Sequence, residues 1–134
     1  MRLSTHLHFE GQCEEAFRFY SELLGGKITF MARFSDTPAA LEVPESYRPK
    51  IMHATMELGG GLVMGADAPP GRYEKPQGFA VALHYKDVAE AERIFRALAE
   101  GGDVRMPFMK TFWSPGFGMV TDRFGTPWMV NCEE

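Results

Sequence analysis

Residues Phe112 to Cys132 read FWSPGFGMVTDRFGTPWMVNC. Within this stretch Phe117 to Thr121 alternates bulky and small side chains, Asp122-Arg123-Phe124-Gly125 has turn chemistry, and Pro127 to Cys132 is apolar again. Two such runs around a turn predict a β-hairpin, with Phe112 and Trp113 at its entrance. An isolated hairpin is marginally stable in water, so these strands must belong to a larger sheet. Asp122 and Gly125 suit the turn itself, because an Asp side chain bonds the backbone two residues on and glycine accepts a positive φ. Trp128 alternates with Met129 and is expected in the core.

Working outward, the hairpin proves to be half of a repeat. A gapless shift of 76 positions (83 − 7) lays Leu7-His8-Phe9 on Leu83-His84-Tyr85, Glu14 on Glu90, Phe19 on Phe95, Gly25-Gly26 on Gly101-Gly102 and Ile28 on Val104. A shift of 65 (125 − 60) relates the two hairpins, matching Gly60 with Gly125 and Met64 with Met129. Agreement over a strand, a helix and a glycine stop is the signature of internal duplication.

The first copy starts with a strand over 4–10, with Thr5, Leu7 and Phe9 on one face and His6 and His8 on the other. Cys13, Ala16, Phe17, Tyr20, Leu23 and Leu24 have helical spacing over 12–24, and Gly25-Gly26 stops that helix. Strands follow over 27–34, 51–58 and 62–66, the last two joined by Gly59-Gly60-Gly61. Residues 35–50 hold three prolines and scattered charges, which reads as a mobile loop able to act as a lid. Residues 67–77 punctuate the chain midway. In the second copy Asp87 caps a helix whose apolar face is Val88, Ala91, Ile94, Phe95 and Leu98. The reading is α+β: two tandem βαβββ modules, about 1–68 and 77–134, forming one domain.

Composition bounds the partners. The 134 residues are 45% hydrophobic and 24% charged, with a formal net charge of −4. That is a globular chain large enough for a core without disulfides. No apolar run approaches the ~20 residues of a membrane span, and no secretory signal is visible, so a cytoplasmic protein without a membrane partner is expected. No cluster of cations is present to meet phosphates, which argues against nucleic acid. Cys13 and Cys132 lack CxxC spacing, so neither a zinc knuckle nor a dithiol motif is available; Cys13, near a predicted helix start but with no evident base beside it, reads as a small buried hydrophobe.

Two βαβββ modules in this length resemble the vicinal-oxygen-chelate superfamily, which includes glyoxalase I, extradiol dioxygenases and the bleomycin and fosfomycin resistance proteins. More narrowly, the chain resembles the PhnB-like branch. The matching features are GQCEEAFRFYSELLGG at 11–26, Met52-His53-Ala54, Ala66-Asp67, the alanine-rich helix ending Glu100-Gly101-Gly102, and the terminal DRFGTPW pattern. The resemblance implies sheets curled around a cleft and a homodimeric assembly. Some members of the branch are named demethylubiquinone methyltransferases, but no Gly-rich βαβ fingerprint is present to support methyl transfer.

In the superfamily's metalloenzymes, His or Glu from the first and fourth strands of each module bind a divalent metal, a Lewis acid for vicinal substrate oxygens. Matched by motif, the positions here are Thr5, Met64, Ala80 and Met129. None is a ligand of that type, so no metal and no cofactor is expected. His6, His8 and His84 form a rival trio, but their face is expected to pack against the helices. The cleft then becomes apolar and polarizable, suited to an unidentified small molecule. Its lining residues are expected to be Thr5, Leu7, Met64, Ala80, Phe112, Trp113, Met129 and Asn131. The alternative is an enzyme of lyase, isomerase or dioxygenase type whose divalent metal is held by other residues. Asp36 and Asp67 are expected to be solvated.

Overall fold

The computed structural model describes residues 1–134, which divide into two compact units, Met1–Lys75 and Pro76–Glu134. The first contains β1 (Thr5–Phe9), α1 (Cys13–Leu24), β2 (Lys27–Arg33), β3 (Ile51–Leu58) and β4 (Gly61–Asp67). The second contains β5 (Val81–Tyr85), α2 (Val88–Ala99), β6 (Asp103–Met109), β7 (Gly116–Thr121) and β8 (Pro127–Cys132). The two sheets run β1-β4-β3-β2 and β5-β8-β7-β6. In each, the first and last strands of the module pair in parallel and the remaining neighbours pair antiparallel. The α+β class and the βαβββ repeat are thus as the sequence implies.

Each sheet buries one face against its own helix. On α1, Cys13, Ala16, Phe17 and Tyr20 are buried, and Phe9 of β1 meets Phe17 edge to face at 6.2 Å. Burying side chains of this size contributes about 1.5–3 kcal/mol each. On α2 the buried set is Ala91, Ile94, Phe95 and Leu98. Val88 departs from the expected apolar face and stays 39% exposed, because it lies in the first turn, at the helix margin.

Close approach is made possible by one glycine in each sheet. A Cβ on Gly65 would lie 2.6 Å from the Phe17 ring, and one on Gly118 would lie 2.6 Å from the Phe95 ring. Helix ends follow local rules in part. Gly25 takes φ 76° and donates its N–H to the Ser21 carbonyl at 3.0 Å, closing α1 as its glycine pair predicts. Asp87 accepts from the Glu90 N–H at 3.2 Å and caps α2.

The cap of α1 comes from far along the chain. Gln12 offers no side-chain bond; instead Asp67 Oδ1 accepts from the N–H groups of Gly11 and Cys13, both at 2.9 Å, and Oδ2 accepts from the Ile51 N–H at 2.8 Å. Asp67 is therefore buried, 2% exposed, and not solvated as its charge suggested. Three backbone donors and the positive end of α1 offset its desolvation. Asp36 stays exposed.

The segment 35–50 also departs from expectation. It is built from three short 3-10 turns, Phe34–Asp36, Pro38–Glu42 and Glu45–Tyr47. The Phe34 and Ser35 N–H groups donate to the Lys50 and Arg48 carbonyls, Arg48 Nε donates to the Ala40 carbonyl at 2.9 Å, and the Tyr47 hydroxyl donates to the Ala68 carbonyl. Phe34 and Val43 are buried, so the segment packs against the first unit as a wall in this structure.

Asp122 and Trp128 behave as the hairpin reading requires. Asp122 Oδ1 accepts from the Phe124 and Thr126 N–H groups, and Oδ2 accepts from Trp128 Nε1 at 2.8 Å.

Candidate functional site

Strand register decides which side chains face away from the helices. Partners across a ladder share a face, and the Gly65–Phe17 approach marks the α1 side. Leu7 pairs with Gly65, so Thr5, Leu7 and Phe9 point toward α1, and Leu7 is 1% exposed. His6 pairs with Met64 and His8 with Ala66 on the opposite, open face. The expected orientation of β1 is therefore inverted. An alternation of period 2 separates two faces without saying which one meets the helix.

Three imidazoles converge on that open face. His6 meets His8 edge to face at 4.9 Å and stacks with His53 at 5.9 Å. Phe30 of β2, 52% exposed, lies 6.0 Å from His53, whose Nε2 is 3.3 Å from Thr55 Oγ1. Ser4 Oγ reaches Met64 Sδ at 3.7 Å. Partial burial, then the neighbouring His8 and His53, lower the His6 pKa below its ordinary value. His53 joins His6 and His8 from β3, while His84 lies beside Asn131 within the second unit.

In the second unit the same logic places Gly118 and its partner Val130 toward α2. Met129 and Asn131 then alternate onto the open face, joined there by their partners Met119 and Phe117. Trp113 meets the Phe117 ring edge to face at 5.4 Å and carries Phe112 against it at 4.8 Å; Phe112 is 97% exposed. Asn131 Nδ2 lies 3.1 Å from His84 Nδ1. Its Oδ1 is shut from solvent and has no hydrogen-bond donor. Phe117, Met119 and His84 were not expected here. Their signal is the hairpin register, which brings Phe117 and Met119 beside Asn131 and Met129.

On the open faces His6 stands opposite Met64 in the first unit, and Ala82 stands opposite Met129 in the second; Thr5 faces α1 and Ala80 lies just before β5. Neither pair is two hard His or Glu donors of the kind that the superfamily's metalloenzymes draw from each module. No group of three or more His, Cys, Asp or Glu side chains is placed to hold a metal ion. Cys13 offers no nucleophile either: it is buried, and that burial, followed by the charges of Asp67 and Glu14, pushes its thiol pKa far up.

No helix is long and apolar enough to cross a membrane. Comparison with known proteins agrees with the architecture. The chain is 34% identical over 98% of its length to the Escherichia coli protein YjdN, of which it covers 95%. It is similar to the crystal structure of protein PA1353 from Pseudomonas aeruginosa, with 46% identity, a TM-score of 0.90, and 99% and 98% of the two chains covered. The PhnB protein from Bacillus cereus superposes with a TM-score of 0.84 at 25% identity, over 98% of this chain and 99% of that one. The fold alone is shared with the fosfomycin resistance protein FosX from Listeria monocytogenes, at 6% identity and a TM-score of 0.64, over 100% of this chain and 92% of that one. Residues 5–130 match the model of the Glyoxalase/Bleomycin resistance protein/Dioxygenase superfamily, and the chain belongs to that superfamily.

Proposed function

We propose that this chain is a PhnB-like small-molecule-binding protein that works as a homodimer and takes a largely apolar ligand on its open sheet faces without a resident metal. One observation carries the reading: the open face of the second sheet brings half-buried Met129, Met119 and Phe117 together, with Trp113 against Phe117. A ligand with a flat apolar body would cover these polarizable side chains, and Asn131 lies on the same face. Phe112, Trp113 and Ala80 complete the proposed lining in the second unit; in the first, Met64 lies on the open face, whereas Thr5 and Leu7 leave the proposed set because they face α1.

His6 beside Met64 favours a second reading, an enzyme that recruits a divalent metal through this imidazole. Native mass spectrometry of tag-free protein, with and without zinc, nickel, iron and manganese, separates the two. A dimer carrying an organic adduct, or methionine-methyl NMR signals of Met129 and Met119 that shift saturably with an aromatic fragment set, is the expected result. Near-stoichiometric metal, with turnover lost on chelation and in His6→Ala, would replace the first reading by the second.

A further inference from the structure

A separate cavity of about 410 Å³ opens in the first unit beyond the C-terminal ends of the parallel strands β1 and β4, lined by His8, Phe34, Met52, Ala66, Pro69 and Arg72 among others. Its floor is the last open-face pair, His8 and Ala66. One wall is Phe34, buried and packed on Tyr47 at 5.7 Å between ring centres.

The walls are held before any ligand arrives. The Tyr47 hydroxyl donates to the Ala68 carbonyl, so the third 3-10 turn is tied to the rim. Burial, then the charge of Asp67, raises the Tyr47 pKa to about 12, which keeps that hydroxyl protonated and donating. The Arg72 N–H donates to the Pro69 carbonyl at 3.0 Å and closes the rim as a turn.

The cavity's charged and titratable side chains are Arg72, His8 and Asp67. Arg18, Arg33, Arg93, Arg96 and Arg105 are ion-paired, whereas no ion pair or side-chain hydrogen bond involves the exposed Arg72 guanidinium. His8 adds an imidazole. Asp67, the carboxylate in the lining, has both oxygens taken by three backbone N–H groups and is 2% exposed. A free planar fork suits a carboxylate bidentately, and apolar walls suit the remainder of such a molecule.

We infer that this cavity binds an organic monocarboxylate with an aromatic or apolar body, its carboxylate held by Arg72 and His8 and its body between Phe34, Met52 and Ala66. The inference goes beyond the open-face reading, because it uses other residues and a charged ligand.

The test is titration of ¹⁵N-labelled protein with 2-naphthoate and with its uncharged analogue, 2-naphthalenemethanol. Saturable shifts at the amides of His8, Ala66 and Arg72 are expected with 2-naphthoate, and the alcohol is expected to bind about tenfold more weakly, the scale of one charge-assisted hydrogen bond. Arg72→Gln lies on an exposed turn, leaves the fold intact, and is expected to abolish that preference; His8→Gln is expected to reduce it. Equal affinity for the two compounds, an unchanged preference in Arg72→Gln, or no saturable shift at these amides would overturn the proposal. Shifts confined to Met119, Met129 and their neighbours would overturn it while leaving the open-face reading intact.

Discussion

His6 shows how much one side chain's direction matters. On the helix side it would be a space-filling core residue; on the open side it belongs to a cluster of three imidazoles and faces Met64. Its lowered pKa makes a pH prediction. The folded protein takes up this proton less readily than the unfolded chain. The stabilising contribution is therefore complete above the ordinary value of 6.5, and it is lost as pH falls below that value until the folded protein also protonates. An NMR titration of the imidazole Cε1 protons should give His6 a midpoint below 6.5. His8→Ala should raise that midpoint, since it removes both cover and a neighbouring positive charge; an unchanged midpoint would show that His8 has no part in the shift. The buried aspartates make the complementary point. Asp67 and Asp122 each satisfy three N–H donors. Only Asp122 was legible in advance, because its partners are within six residues whereas those of Asp67 are 16 to 56 residues away.

At the scale of elements, helix and sheet meet where a side chain is missing. The Phe17 ring occupies the space in which Gly65 would carry a Cβ, and Phe95 does the same over Gly118. Gly65→Ala should cost about 2 kcal/mol through overpacking and lower Tm by about 8 °C. Restoring room with Phe17→Leu in the same chain should recover part of that loss, a coupling between contacting residues that a double-mutant cycle reads. Additive losses would mean that the ring and the glycine do not share this space. The helices and hairpins themselves were readable because their signals are local: apolar residues at helical spacing, Gly25 at a left-handed cap, and a turn whose Asp bonds its own backbone. The three 3-10 turns of 34–47 were not, since turns of three to five residues are too short to show a periodic pattern, although local bonds such as Thr37 N–H to the Phe34 carbonyl close them.

For the whole molecule, the joint between the two units becomes the predicted weak point. Residues 68–80 form no helix or strand, and Arg72, Glu74 and Lys75 are exposed, whereas 35–50 is pinned at both ends. Limited trypsinolysis should therefore cut first after Arg72, giving fragments 1–72 and 73–134 by mass spectrometry. A first cut after Lys50 would show instead that the 35–50 wall opens more readily than the joint. The sequence by itself determined the duplication, the order of elements, the superfamily and the methionines at Met64 and Met129, because each depends on patterns repeated along the chain. Tertiary structure alone decided that His6 and His8 face away from α1, that His53 joins them, that Asp67 is a buried cap, and that Arg72 and Phe34 border one cavity. The physical reason is the same in each case. Alternation along a strand sorts side chains into two sets, but only packing a helix against one set, and pairing strands from distant parts of the chain, determines which residues meet.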